Sequence, residues 1–384
     1  MRRVYVDYAA TTPLDPRVLE AMKPYFTIVY GNASSIHSFG LEARRSIEDA
    51  RETVAKMIDA EPEELIFTGS GTEANNLALK GFAFNKGKEK THIAISTIEH
   101  DSVLNAANWL EKEAFKVTYL PVNRHGLIDL EELEKALRSG VSLVSIIHGN
   151  NEIGTIQPLK EIGKLCQEYG TIFHTDAAQS FGKIPIDVKE MNIDLMTVNA
   201  HKIYGPKGVG ALYIKKGVRI EPLLHGGGHE FGLRSSTENV PSIVGFAKAV
   251  EIRKEEMVSE AQRLTTSGNR LIKGVLEIEE TYFNGHPTKR LPNITNFRFS
   301  YIEGESLIIL LNDEGIAAST GSACSSGSGE PSHVLLALGL KPEEIHGSLR
   351  ISLGKYTTEE DIDYILEVLP RTVKKLREIS PIKA

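Results

Sequence analysis

The chain has 384 residues, of which 41% are hydrophobic and 25% charged, with a formal net charge of -7. That length supports a sizeable core and favours two domains over one. The charge excludes a global basic field for nucleic acid or anionic membrane, though not a local basic patch, and two cysteines exclude a disulfide framework or a four-thiolate metal site.

The start, Met1-Arg2-Arg3-Val4-Tyr5-Val6-Asp7-Tyr8, has basic residues with no apolar stretch behind them, so it does not read as a signal peptide. No apolar run approaches the ~20 residues needed to cross a bilayer. A cytoplasmic protein is expected, with no membrane and no direct nucleic-acid partner. From about residue 65 to 214, short Val/Ile/Leu runs alternate with helical patterns. The runs at 65–67, 92–96, 144–147, 172–174 and 195–198 are mainly apolar rather than alternating, which suits strands buried on both faces of a mainly parallel sheet. A helix is predicted at 159–169, stopped by Gly170. The pattern is that of an α/β layered domain.

After Gly228 the character shifts. Residues 242–276 read as one or two long polar helices, followed by strands at 294–299 and 349–353. Thr357 and Glu360 are spaced as a capping box opening the last helix, where Ile362, Ile365, Leu366, Leu369, Val373 and Leu376 share a face and Pro370 should kink it. This part reads as a second, smaller α+β domain.

Four places could carry chemistry. Phe67-Thr68-Gly69-Ser70-Gly71-Thr72-Glu73-Ala74 is a glycine-rich turn between strand and helix, where backbone N–H groups suit a phosphate. It fits neither the dinucleotide fingerprint nor the P-loop, and by itself such a turn is as often a plain tight loop. Asp176 follows a strand, at the end that faces the ligand crevice of a parallel sheet. It could pair with a protonated ring nitrogen, although from this segment alone a capping role is the simpler reading. Lys202 ends an apolar run and precedes Gly205-Pro206-Lys207-Gly208. A partly desolvated lysine there can form a Schiff base. Turn, Asp and Lys together point to pyridoxal chemistry far more strongly than any one of them.

Cys324 sits in Gly321-Ser322-Ala323-Cys324-Ser325-Ser326-Gly327-Ser328-Gly329, which offers no apolar cover for a thiol. An exposed cysteine on a mobile polar loop is a candidate nucleophile. Cys166, on a helix face with Ile162 and Leu165, reads as packing. Of the histidines, no two stand in a metal-ligand spacing backed by cysteine or carboxylate in the usual patterns, so no fixed metal site is expected. His100, just past a strand, is placed to cover a planar cofactor or move a proton.

The motifs extend along nearly the whole chain: Tyr5-Val6-Asp7-Tyr8-Ala9-Ala10-Thr11-Thr12-Pro13, Tyr30-Gly31-Asn32-Ala33-Ser34-Ser35-Ile36-His37, Gly149-Asn150-Asn151-Glu152-Ile153-Gly154, His201-Lys202-Ile203-Tyr204-Gly205-Pro206 and Gly226-Gly227-Gly228-His229-Glu230. Together they resemble the cysteine desulfurases of the NifS/IscS type, within the fold-type-I, class V aminotransferase-like pyridoxal-phosphate enzymes. The Ser-Ala-Cys-Ser core around Cys324 is similar to the longer-loop group. The resemblance implies a large domain (12–255) with a mainly parallel seven-stranded sheet, and a small α+β domain (1–11 and 256–384) carrying the Cys324 loop.

It also implies roles. Lys202 becomes the Schiff-base lysine, Asp176 the pyridinium partner, Gln179 a donor to the ring's phenolic oxygen and His100 the residue stacked on the ring. Gly71, Thr72, Asn199 and His201 would hold the phosphate, with Thr237 reaching in from a second subunit. Asn151 and Arg350 would bind the substrate carboxylate, Arg350 by its bidentate fork. Asn199 stands where the family usually has Ser. The implied reaction turns L-cysteine into L-alanine and leaves a persulfide on Cys324, for an iron–sulfur scaffold or a thiolation acceptor. Cys324 could also ligate an iron–sulfur cluster transiently. A homodimer is implied. Selenocysteine lyase or another class V reaction is the nearest rival. A nucleotide-binding module would leave Lys202 and Asp176 unexplained, and an inactive interaction protein would not need Lys202 and Cys324 together.

Overall fold

The computed structural model describes residues 2–321 and 331–381. The strands in chain order are β1 (Val4–Tyr5), β2 (Leu65–Thr68), β3 (His92–Ser96), β4 (Lys116–Leu120), β5 (Leu143–Ser145), β6 (Ile172–Asp176), β7 (Leu195–Asn199), β8 (Gly210–Ile214), β9 (Thr281–Asn284), β10 (Ile294–Phe299), β11 (Ile316–Ala317) and β12 (Ser348–Ser352). Seven of them form the central sheet, in the order β2-β8-β7-β6-β5-β3-β4. Pairing is parallel from β4 through β7, while β8 runs antiparallel to both β2 and β7.

Every residue of β2, β3, β5, β7 and β8 is buried, because helices cover both faces. Phe67, Val144, Phe173 and Met196 point into a core shared with Ala43, Ile47 and Val54 of the helix Ser38–Lys56. Ile66, Ile93, Leu143 and Leu195 point the other way, against Leu77 and Phe82 of the helix Gly71–Lys86 and Val103 and Leu110 of the helix Asp101–Lys112. Alternate residues thus serve opposite layers, which is why these strands carry no polar alternation.

The helix predicted at 159–169 is Leu159–Glu168, and Gly170 follows at φ 64. Cys166 is buried in the large core, as a packing residue. The long polar stretch is one helix, Val240–Val275. Its Val240, Ile243, Phe246 and Val250 pack in the first core and its Leu264, Leu271 and Val275 in a second, with Phe297, Phe299, Leu349 and Ile351. The expected boundary between residues 255 and 256 therefore falls inside a continuous helix. The last helix, Glu359–Ile379, runs through Pro370 and buries Ile362, Ile365, Leu369, Val373 and Leu376. Its capping box is Thr358 with Asp361, one residue later than expected. Thr357 instead accepts a hydrogen bond from Gly354 N at 3.0 Å, so its hydroxyl is committed to the preceding turn.

One motif acquires a structural purpose. Glu230, which closes Gly226-Gly227-Gly228-His229-Glu230, is buried against Arg51 in a two-pronged pair at 2.7 and 2.9 Å. It also accepts from Phe67 N at 2.7 Å, and Arg51 donates to Leu65 O. The pair pins the edge strand β2, and with it the turn that follows. Glu230→Ala leaves the buried Arg51 cation with only the exposed Glu48, 3.1 Å from its Nε, so urea denaturation should show a loss approaching the ~3–5 kcal/mol of a broken buried pair. A loss below about 1 kcal/mol, typical of exposed pairs, would mean that water reaches Arg51.

Candidate active site

The carboxyl ends of β3, β5, β6 and β7 open into one cleft of about 530 Å³. It is lined by Ala9, Gly71, Thr72, His100, Asn151, Asp176, Gln179, Asn199, His201, Lys202 and Arg350, among others. These positions span the chain from its start to β12, and the crevice at the strand ends is where an open parallel sheet collects them. Thr237 is exposed and does not line this cleft. Cys324 lies outside the described residues, as does the expected loop around it. The described chain stops on either side of it at the cleft, with Gly321 and Pro331 in the wall.

Asp176 ends β6. One of its oxygens accepts from Asn75 Nδ2 at 2.7 Å, the other from Ala178 N at 2.9 Å. The capping role is present, and with Asn75 it fixes the direction of the carboxylate in the cleft. Asn75 in turn donates to Ser102 Oγ at 2.8 Å, and Ser102 Oγ meets His100 Nδ1 at 2.8 Å. Ser102 N also donates to His100 Nδ1, at 3.1 Å, as the imidazole caps the helix Asp101–Lys112. Nδ1 is therefore an acceptor and the neutral ring carries its proton on Nε2. His201 follows β7. Burial, helped by the charge of Lys202, pushes it down to about 4, so it too is neutral.

Lys202 donates to the Ala9 carbonyl and, at 2.7 Å, to the Ala10 carbonyl. The N-terminal motif Tyr8-Ala9-Ala10-Thr11 thereby closes one wall of the cleft over the amine. Gln179 donates from Nε2 to Ala9 O at 2.8 Å and accepts from Lys183 at 3.0 Å. Arg350, buried in the middle of β12, donates to Asn151 O and to Asp7 Oδ1, both at 2.8 Å. Its two-pronged end is thus already occupied, and Nε is the edge left without a partner. Asp7 is a feature the sequence did not reveal, because only the fold brings β12 beside the N-terminal segment.

Two acids at the cleft also went unnoticed. Glu99 accepts from Ser96 Oγ at 2.5 Å and from Ile147 N at 2.7 Å, and burial raises it to about 8. Glu152 accepts from Ser332 Oγ at 2.8 Å, and burial raises it to about 7. Glu99 was signalled only by adjacency to His100, and Glu152 only by its place beside Asn151 in the Gly149–Gly154 motif.

Whether the residues fit a pyridoxal phosphate can be tested on their unmet polar atoms. Asn75 Oδ1, Asn151 Oδ1, Asn199 Oδ1, Glu99 Oε2 and Arg350 Nε are buried without partners among the described residues, and all five side chains line the cleft. Buried polar groups are rarely left so. At the phosphate end, Gly71 opens a 16-residue helix, and a side chain added at Gly71 would meet Asn199 Nδ2 at 3.2 Å. Asn199, larger than the usual Ser, thus stands against a glycine that leaves it room. Four of the five atoms are acceptors, which suit the N–H groups of a hydrogen-bonding ring compound and its amine, while the helix start suits its phosphate.

Comparisons with known proteins agree with the geometry. The family model described as aminotransferase class-V matches residues 4–365. A cysteine desulfurase IscS of Dictyoglomus turgidum is 53% identical over 383 residues, spanning 100% of this chain and 97% of that protein. A cysteine desulfurase IscS 1 of Archaeoglobus fulgidus is 52% identical, spanning 98% and 99%. The solved structure of a NifS-like protein superposes with a TM-score of 0.92 at 41% identity, covering 98% of this chain and 100% of that one. SspA, solved in complex with cysteine, gives 0.81 at 39% identity, covering 92% and 100%. Matched from end to end in both sequence and fold, the chain belongs to the class-V aminotransferase family, in its group of pyridoxal-phosphate-dependent cysteine desulfurases of the NifS/IscS type.

Proposed function

We infer that this protein converts L-cysteine to L-alanine and takes the sulfur on Cys324 as a persulfide. The observation that carries the reading is the gathering of Lys202, Asp176, His100 and the Gly71 helix start in one cleft. The reaction balances without an external oxidant: cysteine and the Cys324 thiol give alanine and one persulfide. Pyridoxal phosphate, when bound, supplies the electron sink that makes the substrate's α-proton removable.

The rest is work for the chain's own side chains. Lys202 holds the cofactor and then carries the α-proton. Asp176, aimed by Asn75 and Ala178 N, accepts from the protonated ring nitrogen. His100 covers the ring, with its proton on Nε2 facing away from the helix it caps. The second N–H of Gln179 is left for the phenolic oxygen, the first being taken by Ala9. Thr72 and His201 complete the phosphate site with Gly71 and Asn199. Asn151 and the Nε edge of Arg350 orient the substrate carboxylate. Cys324 then attacks the substrate sulfur as a thiolate.

A mixture of protein, pyridoxal phosphate and L-cysteine should yield alanine and an equal amount of reducible sulfur. Alanine without protein-bound sulfur would point instead to a lyase that releases the sulfur freely.

The same reading includes an iron–sulfur scaffold or thiolation acceptor as sulfur recipient, a cytoplasmic location, and the division of the chain into 12–255 and the remainder. The two separate cores support that division. Among the described residues no helix is long and apolar enough to cross a membrane. A homodimer completes the site. Exposed apolar side chains crowd one segment, Phe26, Ile28, Tyr30, Ile36, Phe39 and Leu41, with Ile36 90% exposed. Apolar surface of that kind marks an interface, and exposed Thr237 is available to a partner's cleft. Thr237→Ala should weaken cofactor binding by about tenfold, the worth of one charge-assisted hydrogen bond. A fully active monomer in sedimentation would rule the dimer out.

A further inference from the structure

Behind the cleft stands a lysine that the reaction does not use. Lys183 enters no ion pair among the described residues, since Glu260, the acid facing it, is held by Arg253 at 2.6 Å. Burial, with the charges of Lys202, Arg253 and Arg350, pushes its amine down to about 7 against the opposing pull of Glu260. Placing an unpaired amine there costs stability, and such costs collect at functional sites.

Its hydrogen bond goes to Gln179 Oε1, at 3.0 Å. Lys183 donates this bond whether its amine is charged or neutral, so the side of the amide that meets it is the carbonyl. The nitrogen is thereby turned toward Ala9 O, 2.8 Å away, and toward the cleft. The amide of Gln179 is almost symmetric in shape, and its two contacts, Lys183 on the oxygen and Ala9 O on the nitrogen, select the same orientation. The backbone below is fixed too, because Arg253 Nε donates to Gly182 O at 2.8 Å.

We propose that Lys183 is a positioning residue, which anchors the Gln179 carbonyl so that the amide nitrogen is held as a donor to the bound cofactor. The proposal rests on the cofactor reading above. It assigns no contact between Lys183 and the cofactor or substrate. Its effect runs entirely through Gln179, which makes it separable.

Cofactor-free protein titrated with pyridoxal 5'-phosphate, followed by absorbance, tests this without reference to turnover. Lys183→Met should weaken binding by about tenfold, as expected for one hydrogen bond to the cofactor. Lys183→Arg, which keeps a cationic donor, should bind nearly as the native protein does. In the Gln179→Leu background, adding Lys183→Met should change nothing, because the group it positions is gone. Three results would each overturn the proposal: undiminished affinity in Lys183→Met, a Lys183→Arg as weak as Lys183→Met, or the full loss persisting beside Gln179→Leu. Replacing an unpaired amine with Met is not expected to lower the melting temperature of the cofactor-free protein, and Lys183→Arg decides the matter should Met fold poorly. Borohydride reduction of each variant keeps the two readings apart. A pyridoxyl label on a lysine other than Lys202 sinks the cofactor reading, while a label on Lys202 with additive losses sinks only the role of Lys183.

Discussion

Lys202→Ala is expected to end alanine formation, with kcat/KM falling roughly a thousandfold or more, because the variant loses both the covalent anchor and the proton carrier. The structure explains why no neighbour can stand in. Lys183, the other amine nearby, is tied to Gln179 Oε1, and the Ala9 and Ala10 carbonyls draw Lys202 to the cleft wall. The variant should still fold, since Ala fits within the space that the longer side chain occupies. The direct check is borohydride reduction of the native protein with its cofactor, followed by peptide mapping. The label should appear on the peptide containing His201-Lys202-Ile203. A label elsewhere, or a Lys202→Ala protein with normal turnover, would remove Lys202 from the reaction.

Cys324→Ser separates sulfur transfer from everything before it. A serine hydroxyl stays protonated at neutral pH, whereas a thiol near its ordinary value of about 8.5 provides some thiolate. The variant should therefore bind pyridoxal phosphate and L-cysteine normally and change its absorbance on mixing. It should release alanine hundreds of times more slowly, an expected loss of roughly 3–4 kcal/mol in transition-state stabilisation. No protein-bound sulfur should form. Mass spectrometry of native protein after cysteine should find one extra sulfur on the peptide with Cys324, and near-native turnover in Cys324→Ser would exclude it as the acceptor. Cys166 is no substitute: it is buried, and its thiol is pushed up to about 12.

What could be read in advance depended on how local each signal was. The buried strands β3, β6 and β7 were legible because strands covered on both faces carry apolar residues at successive positions, such as Ile93-Ala94-Ile95, Ile172-Phe173 and Leu195-Met196. The edge strand β4 was not, since Lys116 is exposed and Val117, Thr118 and Tyr119 are only half-buried. The start of the last helix slipped by one residue, because Thr357 and Thr358 are both plausible caps and the Gly354 turn claims the first. For Asp176 the capping and ligand readings competed in the sequence; the fold shows the cap on one oxygen, from Ala178 N, and Asn75 on the other, with the carboxylate in the cleft wall.

By itself the sequence pointed to the chemistry: a strand-end aspartate, a lysine three residues past a strand, a glycine-rich helix start and a cysteine without apolar cover are local features, each set by neighbours a few positions away. The family motifs added the cofactor and the reaction. Tertiary structure alone decided which polar groups face one another. Asp7 meets Arg350 across 343 residues, Asn75 meets Asp176 across 101, and the Ala9 carbonyl meets Gln179 across 170. Such pairs have no periodicity or spacing to betray them. They arise where β12 and the N-terminal segment converge on the strand ends of the central sheet, and burial there makes each partner matter because water cannot replace it.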